Sequence, residues 1–256
     1  MRESVALVSG AAGGIGAAVV RALGERGMTV AAVDRDGDRL AEVVDGLTAE
    51  GLRVRAFRSD VSTSAAAGRL VADVEDTLGP IEHLVNGAGV LHLGKVRDLT
   101  DEDWDATFAV NATGVFFMSR AVADRMVTRR SGAIVTIASN AAGTARTDMA
   151  AYAASKAAAS MFTKCLGLEV AQYGIRCNVV APGSTETPML TSMWKDDSGR
   201  AATLSGSPDA YRVGIPLGKL ARPSDVADAV AFLLSDQAGH ITMHHLTVDG
   251  GATLGV

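Results

Sequence analysis

A tyrosine and a lysine four residues apart, Tyr152 and Lys156, are the side chains of this sequence best suited to acid–base chemistry. On a helix this spacing places both on one face. A free phenol titrates near about 10, but an ammonium one turn away favours the phenolate and lowers its pKa. We therefore predict that Lys156 lowers the pKa of Tyr152 and makes the phenol a usable base. Taken alone, the spacing is better explained by a core tyrosine beside a solvated lysine.

A hydroxyl precedes this pair at the end of an apolar run. Residues 132–139 read Gly-Ala-Ile-Val-Thr-Ile-Ala-Ser and have the continuous apolar character of a buried strand. The run ends in Ser139, thirteen residues before Tyr152. A hydroxyl at that point can hold a substrate oxygen beside the phenol.

Apolar runs alternate with amphipathic stretches along the chain and predict the elements that position these side chains. Strands are expected at residues 5–8, 29–33, 54–57, 84–85, 133–138, 177–180 and 246–248, and helices at 15–26, 39–47, 64–78, 101–129, 149–172 and 224–234. This alternation implies a parallel sheet covered on both faces. Because no linker interrupts it, we expect one α/β domain over residues 1–256, a doubly wound Rossmann-type parallel sheet of about seven strands.

A glycine-rich turn follows the first predicted strand and opens the first helix. Its glycines are Gly10, Gly14 and Gly16, with Ile15 between the last two. Glycines let the backbone approach a pyrophosphate, and a helix N-terminus offers unpaired N–H groups and a positive dipole end. The spacing differs from the general G-x-G-x-x-G fingerprint, so a βα turn without a ligand stays an alternative. We predict that these four residues bind a dinucleotide.

An acidic residue at the end of the second strand bears on which dinucleotide binds. Asp34 lies eighteen residues after Gly16, where a carboxylate can accept hydrogen bonds from the adenosine ribose. It would repel a 2′-phosphate, so we expect NAD in preference to NADP. The adjacent Arg35, also placed at the cofactor, weakens this preference.

Two further strand ends complete the predicted cofactor site. Asp60 and Val61 follow the third strand and are candidates for contacts to the adenine. Asn86, Ala88 and Gly89 lie in a turn that ends the fourth strand and suits close approach of the backbone to the cofactor. A turn without a ligand is the alternative here too.

Composition narrows the class of protein. The chain has 256 residues, 48% of them apolar, and a formal charge of 24 − 29 = −5 with no long run of either sign. Nucleic acid and membrane surfaces are therefore not expected partners, whereas a small molecule is. The N-terminal apolar run is too short for a signal peptide, and we expect a cytoplasmic protein.

No metal site is predicted. Cys165 and Cys177 have no metal-ligand spacing and are expected to be small core residues, reduced in the cell. His244 and His245 are consecutive on a predicted strand, so they point to opposite faces and cannot chelate one ion.

Taken together, these motifs resemble the classical short-chain dehydrogenase/reductase family over essentially the whole chain. The resemblance implies that Ser139, Tyr152 and Lys156 are catalytic. It implies that Lys156 also holds the nicotinamide ribose, and that Asn111 holds a water that relays protons to this lysine. Ser9 stands where the family usually has threonine and, in the fourth turn, glycine replaces the second asparagine.

The family resemblance also covers the segment after the sixth strand. Residues 182–187 match the segment that lines the nicotinamide. This match adds Pro182, Gly183, Thr185 and Thr187 to the predicted cofactor site.

The C-terminal half resembles a narrower group of the family, which oxidises a cyclic diol carboxylate to a catechol with NAD in catecholate siderophore pathways. The likeness lies in residues 139–146, 176–187, 214–223, 239–243 and 248–256. We therefore expect a cyclic diol carboxylate as substrate. Pro188 departs from this group, where an acidic residue is expected.

Three residues are predicted to contact that substrate besides Ser139 and Tyr152. Arg146 lies between those two in sequence, and a guanidinium suits bidentate pairing with a carboxylate. Its alternative is a solvated surface residue. Met189 and Trp194 lie in a segment expected to close over the ring and exclude water.

Other functions stay open on sequence alone. One is a 3-oxoacyl carrier-protein reductase, which Asp34 disfavours because those enzymes generally use NADPH. Another is a sugar or polyol dehydrogenase. A third is a catalytically silent NAD-binding regulator, which the intact catalytic set disfavours.

The helix near residues 150–171 is apolar on nearly every side and needs a second covering surface. We expect a homo-oligomer, a tetramer, with an unusually deep helix within one chain as the alternative.

Overall fold

A seven-stranded parallel sheet runs through the computed structural model, which describes residues 4–194 and 196–255. The strands, in chain order, are β1 Val5–Ser9, β2 Thr29–Asp34, β3 Val54–Arg58, β4 Ile81–Asn86, β5 Gly132–Ile137, β6 Ile175–Pro182, β7 Gly206–Ser207, β8 Arg212–Val213 and β9 His245–Val248. Across the sheet their order is β3-β2-β1-β4-β5-β6-β9, while β7 and β8 form a separate antiparallel ribbon. The predicted doubly wound parallel sheet is confirmed.

Helices cover both faces of the sheet. The described helices are α1 Gly14–Glu25, α2 Gly37–Ala49, α3 Ser64–Leu78, α4 Asp101–Phe108, α5 Val115–Arg129, α6 Ala150–Val170, α7 Pro188–Thr191, α8 Gly199–Ser205 and α9 Pro223–Leu234. Helices α1, α2 and α9 pack on one face, and α3 and α5 on the other. In the described part of the chain, no helix is long and apolar enough to cross a membrane.

Strand β1 shows why the sequence folds this way. All five of its residues are buried. Because side chains alternate along a strand, Ala6 and Val8 enter one core while Val5 and Leu7 enter the other. A strand buried on both faces therefore reads as a continuous apolar run rather than an alternating one.

The single helix expected over residues 101–129 is interrupted. A π-helical turn over Ala109–Gly114 separates α4 from α5. Such turns are rare and often occur at functional sites, and this one carries Asn111. The short helices α7 and α8 and the β7–β8 ribbon had no sequence prediction.

Helix α6 leaves an apolar stripe exposed within one chain. Met161 is 60% exposed and Leu168 is 70% exposed, and Cys165 lies between them on the same side. The prediction that Cys165 is a core residue is therefore wrong for the single chain, whereas Cys177 is buried. The alternative of an unusually deep helix within one chain is also wrong.

A buried histidine on β4 should make folding stability depend on pH. Burial, reinforced by the charge of Arg176 and opposed by Asp236, lowers the pKa of His83 to about 4. Its ordinary value is 6.5, so the unfolded chain binds more protons than the folded chain between these two values. Stability should therefore fall as the pH drops from about 6.5 to about 4, by roughly 3 kcal/mol in total.

The variant His83→Gln should lose this component. Urea unfolding at pH 7 and at pH 4 should show a smaller loss of stability in the variant than in the unmodified protein. His240→Gln is the matched control, because His240 is exposed. An equal acid-induced loss in His83→Gln and the unmodified protein would contradict the prediction.

Candidate active site

A cavity of about 460 Å³ opens at the carboxyl ends of the strands. The strand order reverses between β1 and β4, and ligands of open α/β sheets bind beside such a reversal. The cavity brings together most of the predicted cofactor, catalytic and substrate residues.

The glycine turn forms one wall of this cavity. Gly10 has a φ of +74°, and a Cβ there would lie 2.6 Å from the backbone nitrogen of Ala88. A Cβ on Gly16 would overlap the carbonyl oxygen of Gly10. Both positions therefore require glycine for steric reasons. Gly14 and Ile15 also line the cavity, and their binding of a pyrophosphate stays a prediction.

The Ser9 hydroxyl joins this turn to the one after β4. It accepts hydrogen bonds from the backbone N–H groups of Gly87 at 3.2 Å and Ala88 at 3.4 Å. The two residues that depart from the family pattern, Ser9 and Gly87, are therefore in contact. Serine keeps the hydroxyl that the usual threonine would have, and this hydroxyl accepts the hydrogen bond.

Asp34 is fixed at the edge of the glycine turn. Its carboxylate accepts from the Ala12 N–H at 3.0 Å and from the Asp36 N–H at 3.1 Å. Asp34 and Arg35 both line the cavity. The backbone thus holds the Asp34 carboxylate at the edge of the glycine turn, and its contact with a ribose stays a prediction.

The predicted residues after β3 line the cavity, whereas Asn86 at the end of β4 does not. Asp60 and Val61 line the cavity, and hydrogen bonds from Ser62 lower the pKa of Asp60. Asn86 does not line it: its amide donates to Ser119 at 2.9 Å and Thr136 at 3.3 Å inside the core. The Asn86 side chain therefore ties β4 to α5 and β5, and a contact of the Asn86 backbone with the cofactor stays a prediction.

The turn that follows Asn86 does reach the cavity. Ala88 and Gly89 are both on its wall. The role of Asn86 is therefore to hold the start of this turn in place.

The serine, tyrosine and lysine meet on one side of the cavity. Helix α6 carries Tyr152 and Lys156 one turn apart, and Ser139 lies just beyond the end of β5. The Lys156 ammonium donates to the Ile137 carbonyl at 2.9 Å and lies 5.8 Å from the centre of the Tyr152 ring. The Ser139 oxygen accepts from the Ala141 N–H at 3.1 Å. This arrangement can bind a hydroxyl or carbonyl oxygen and exchange a proton with it.

The predicted direction of the Tyr152 pKa is wrong for this structure. Burial raises the pKa of Tyr152, and a hydrogen bond with Ser139 opposes that effect. Burial also lowers the pKa of Lys156 to about 8. Sequence spacing predicted a nearby ammonium but not the removal of both groups from water, which is the largest cause of both pKa shifts.

Asn111 lies behind the lysine rather than on the cavity wall. Its side chain accepts from the Val90 N–H at 2.8 Å and donates to the Val90 carbonyl at 2.9 Å and to Ser155 at 3.0 Å. A Cβ on Gly89 would lie 3.2 Å from the Lys156 nitrogen and 3.4 Å from the Asn111 oxygen, so both groups border Gly89. A water relay between them stays a prediction.

The segment after β6 packs against the glycine turn. Its predicted cofactor residues all line the cavity: Pro182, Gly183, Thr185 and Thr187. Thr187 caps α7, and its methyl group would lie 2.8 Å from a Cβ on Gly14. Pro188 is the first residue of α7, a position that proline suits because its missing N–H would be unpaired there anyway.

Only some of the predicted substrate residues line the cavity. Arg146 and Met189 line the cavity, as does Met193, which had not been predicted. Trp194 does not line the cavity: its indole N–H donates to Thr203 at 3.2 Å, and its ring packs against the cluster that contains Leu190. Its contact with the substrate stays a prediction.

Three charged residues of the cavity were not predicted, namely Asp36, Arg39 and Arg212. Arg212 lies on the cavity wall in the two-residue strand β8. A strand this short has no periodicity, so no sequence pattern could have placed it.

This combination of a doubly wound sheet, a glycine turn at its reversal point and a Ser–Tyr–Lys cluster defines a nicotinamide-dependent oxidoreductase. The family model described as short chain dehydrogenase matches residues 4–198. The chain belongs to the short-chain dehydrogenase family.

The relatives are more specific. The chain is 59% identical to the 2,3-dihydro-2,3-dihydroxybenzoate dehydrogenase of Bacillus subtilis (strain 168), over 98% of this chain and 97% of that protein. It is 42% identical to the vibriobactin-specific enzyme of the same name from Vibrio cholerae, over 98% and 97%, and 41% identical to that of Escherichia coli K12, over 97% and 96%. The narrower resemblance predicted from the C-terminal half is confirmed.

A solved structure supports the fold. The crystal structure of gox2181 superposes with a TM-score of 0.92 at 32% identity, covering 99% of this chain and 97% of that one.

Proposed function

We propose that the protein oxidises 2,3-dihydro-2,3-dihydroxybenzoate to 2,3-dihydroxybenzoate with NAD, as a step of catecholate siderophore biosynthesis. The observation that carries the proposal is the 59% identity, over nearly the whole chain, to a dehydrogenase of that name. The cavity supports the proposal, because Arg146, Ser139 and Tyr152 all line it. Arg146 can bind the carboxylate of a small molecule, and Ser139 and Tyr152 can bind a hydroxyl on its ring.

The cofactor site fits a dinucleotide. The glycines at positions 10 and 16 let the turn fold tightly, because a Cβ at either would collide with backbone atoms, and this turn lines the cavity beside the oriented Asp34 carboxylate. Bound there, NAD would supply the hydride acceptor.

In the proposed mechanism the chain's own groups bind the ring hydroxyl and move its proton. Ser139 and the Tyr152 phenolate bind the hydroxyl, and the phenolate takes its proton and becomes a phenol as hydride leaves the same carbon. The Lys156 ammonium stabilises the phenolate before it accepts the proton, and would also hold the nicotinamide ribose. The ketone then enolises to a catechol, and the gain in aromaticity makes reversal unfavourable. Met189 and neighbouring α7 side chains exclude water from the ring.

Asp34 is proposed to select NAD over NADP. In Asp34→Ala we expect affinity for NAD to fall and the preference ratio to move toward NADP by about 10- to 100-fold, because repulsion of a 2′-phosphate is lost. The measurement is kcat/KM for each cofactor. Asp38→Ala is the control, since Asp38 is exposed in the first turn of α2 and does not line the cavity. Equal use of both cofactors by the unmodified enzyme would show that Asp34 is not at the ribose.

A turnover panel tests the substrate proposal against other activities. The panel contains 2,3-dihydro-2,3-dihydroxybenzoate, the same diol without its carboxylate, a polyol, and a 3-oxoacyl thioester with NADPH. Preferred turnover of the diol carboxylate supports the proposal. Preferred turnover of the polyol or the thioester would replace it, and no turnover of any of them would favour a silent NAD-binding regulator.

The exposed stripe on α6 supports a homo-oligomer, with a tetramer as the proposed assembly. We propose the cytoplasm as its compartment. Phe116 on α5 extends this apolar surface through an edge contact with Phe162, at 5.7 Å between ring centres. Burying such a surface against a second copy would remove it from water. Light scattering that gives the mass of one chain at micromolar concentration would contradict it.

A further inference from the structure

Arg212 occupies a fixed position on the wall of the active-site cavity. It lies in the β7–β8 ribbon, three residues before Ile215. The Ile215 N–H donates to the Leu204 carbonyl at 2.9 Å, and its side chain is buried with Leu190 and Leu220. These contacts of Ile215 hold the ribbon against the neighbouring helices and thereby fix the position of Arg212 at the cavity.

Among the residues that the structure describes, none accepts a hydrogen bond from the guanidinium of Arg212 or Arg146. Both side chains are part-buried, and the Arg212 Nε is fully buried without a hydrogen-bond partner. Within residues 4–194 and 196–255, no carboxylate forms a salt bridge with either. A buried charged donor without a partner is unfavourable, and native proteins normally satisfy such groups.

The two guanidiniums also repel each other. The pKa of Arg146 is lowered first by burial and then by the charge of Arg212, while Asp249 opposes both. The Asp249 carboxylate is already occupied: it accepts from Asn140 at 3.2 Å, Thr253 at 2.7 Å and the Gly251 N–H at 2.9 Å. Two positive charges thus face one cavity without a counter-ion in contact, which favours an anionic ligand between them.

We propose that Arg212 is a specificity-determining residue that binds, together with Arg146, the carboxylate of the ring substrate. This inference rests on the proposed function and names the group that distinguishes the carboxylated diol from other diols. The two oxygens of a carboxylate can accept from two guanidiniums at once. Ser139 and Tyr152 hold the hydroxyl at the reacting carbon, so the ring is fixed at two points.

The test compares each enzyme on the diol with and without its carboxylate. In Arg212→Met we expect kcat/KM for 2,3-dihydro-2,3-dihydroxybenzoate to fall about 10- to 100-fold, mainly through KM, because a charged hydrogen bond is lost. Turnover of the diol without the carboxylate and the KM for NAD should not change. Arg212→Lys should recover part of the loss, and Arg146→Met should behave like Arg212→Met. Arg200→Met is the control, because Arg200 is exposed and pairs with Glu186.

A binding measurement separates this inference from the proposed function. Calorimetry with NADH present compares 2,3-dihydroxybenzoate with catechol, which lacks the carboxylate. The unmodified protein should prefer the carboxylated ring about tenfold or more, and Arg212→Met should lose that preference. If neither diol is oxidised by the unmodified protein, the proposed function fails, and this preference still decides the role of Arg212. An equal preference in Arg212→Met and the unmodified protein, or none in either, overturns the inference.

Discussion

Replacing Tyr152 by phenylalanine is expected to lower kcat about a thousandfold or more, because a positioned proton acceptor commonly contributes 10²–10⁴ to the rate. The substitution removes only the phenolic oxygen. Tyr152 is 9% exposed, so the ring should keep its packing and the fold its stability. The affinity for NAD should stay nearly unchanged, since the glycine turn and Asp34 are untouched. Steady-state oxidation and a separate NAD titration measure the two quantities.

The matched control for this substitution is Tyr173→Phe. Tyr173 lies just after α6, away from the cavity, and removing its hydroxyl should leave turnover intact. Turnover in Tyr152→Phe equal to that of the unmodified enzyme would remove Tyr152 from its proposed role.

Replacing Lys156 by methionine should abolish activity and stabilise the fold at the same time. Activity should fall about a thousandfold, because the charge that stabilises the phenolate and the donor to the ribose are both lost. Unlike Tyr152→Phe, this variant should also bind NAD more weakly.

The stability gain follows from burial. The pKa of Lys156 is lowered from 10.5 to about 8, so below pH 8 the folded chain holds a buried ammonium whose protonation opposes folding. In the unmodified protein, stability should therefore rise as the pH goes from about 8 to about 10.5, where the unfolded chain binds more protons. Lys156→Met should lack this rise and be more stable at pH 7 by roughly 2 kcal/mol, after allowing for the lost hydrogen bond to the Ile137 carbonyl.

Lys164→Met is the control on the same helix. It is only part-buried and does not line the cavity, so neither activity nor the alkaline rise in stability should change. A Lys156→Met variant that keeps its activity, or that is less stable at pH 7, would contradict the role or the energetics assigned to this lysine.

The sheet and the glycine turn could be predicted because their signals are local. The apolar run of β1 predicts a buried strand by itself. The glycines after it are required because a Cβ on Gly10 or Gly16 would collide with nearby backbone atoms. The Tyr152–Lys156 pair was predictable because helical spacing fixes which side chains share a face.

What could not be predicted depends on contacts between distant segments. The Asn86 amide turns inward because Ser119 and Thr136 lie beneath it. Trp194 does not line the cavity but donates to Thr203, which does, and Arg212 reaches the wall from a two-residue strand. The pKa of Tyr152 rises because the folded chain removes it from water, an effect that residue spacing does not encode.

The most direct measurement is product identification in a single reaction of the purified protein with 2,3-dihydro-2,3-dihydroxybenzoate and NAD. NADH absorbance and chromatography of the aromatic product are followed together. The proposed function predicts one NADH formed for each 2,3-dihydroxybenzoate, with the reaction running to completion because the product is aromatic. Absence of NADH and of the catechol under conditions where the protein binds NAD would contradict it.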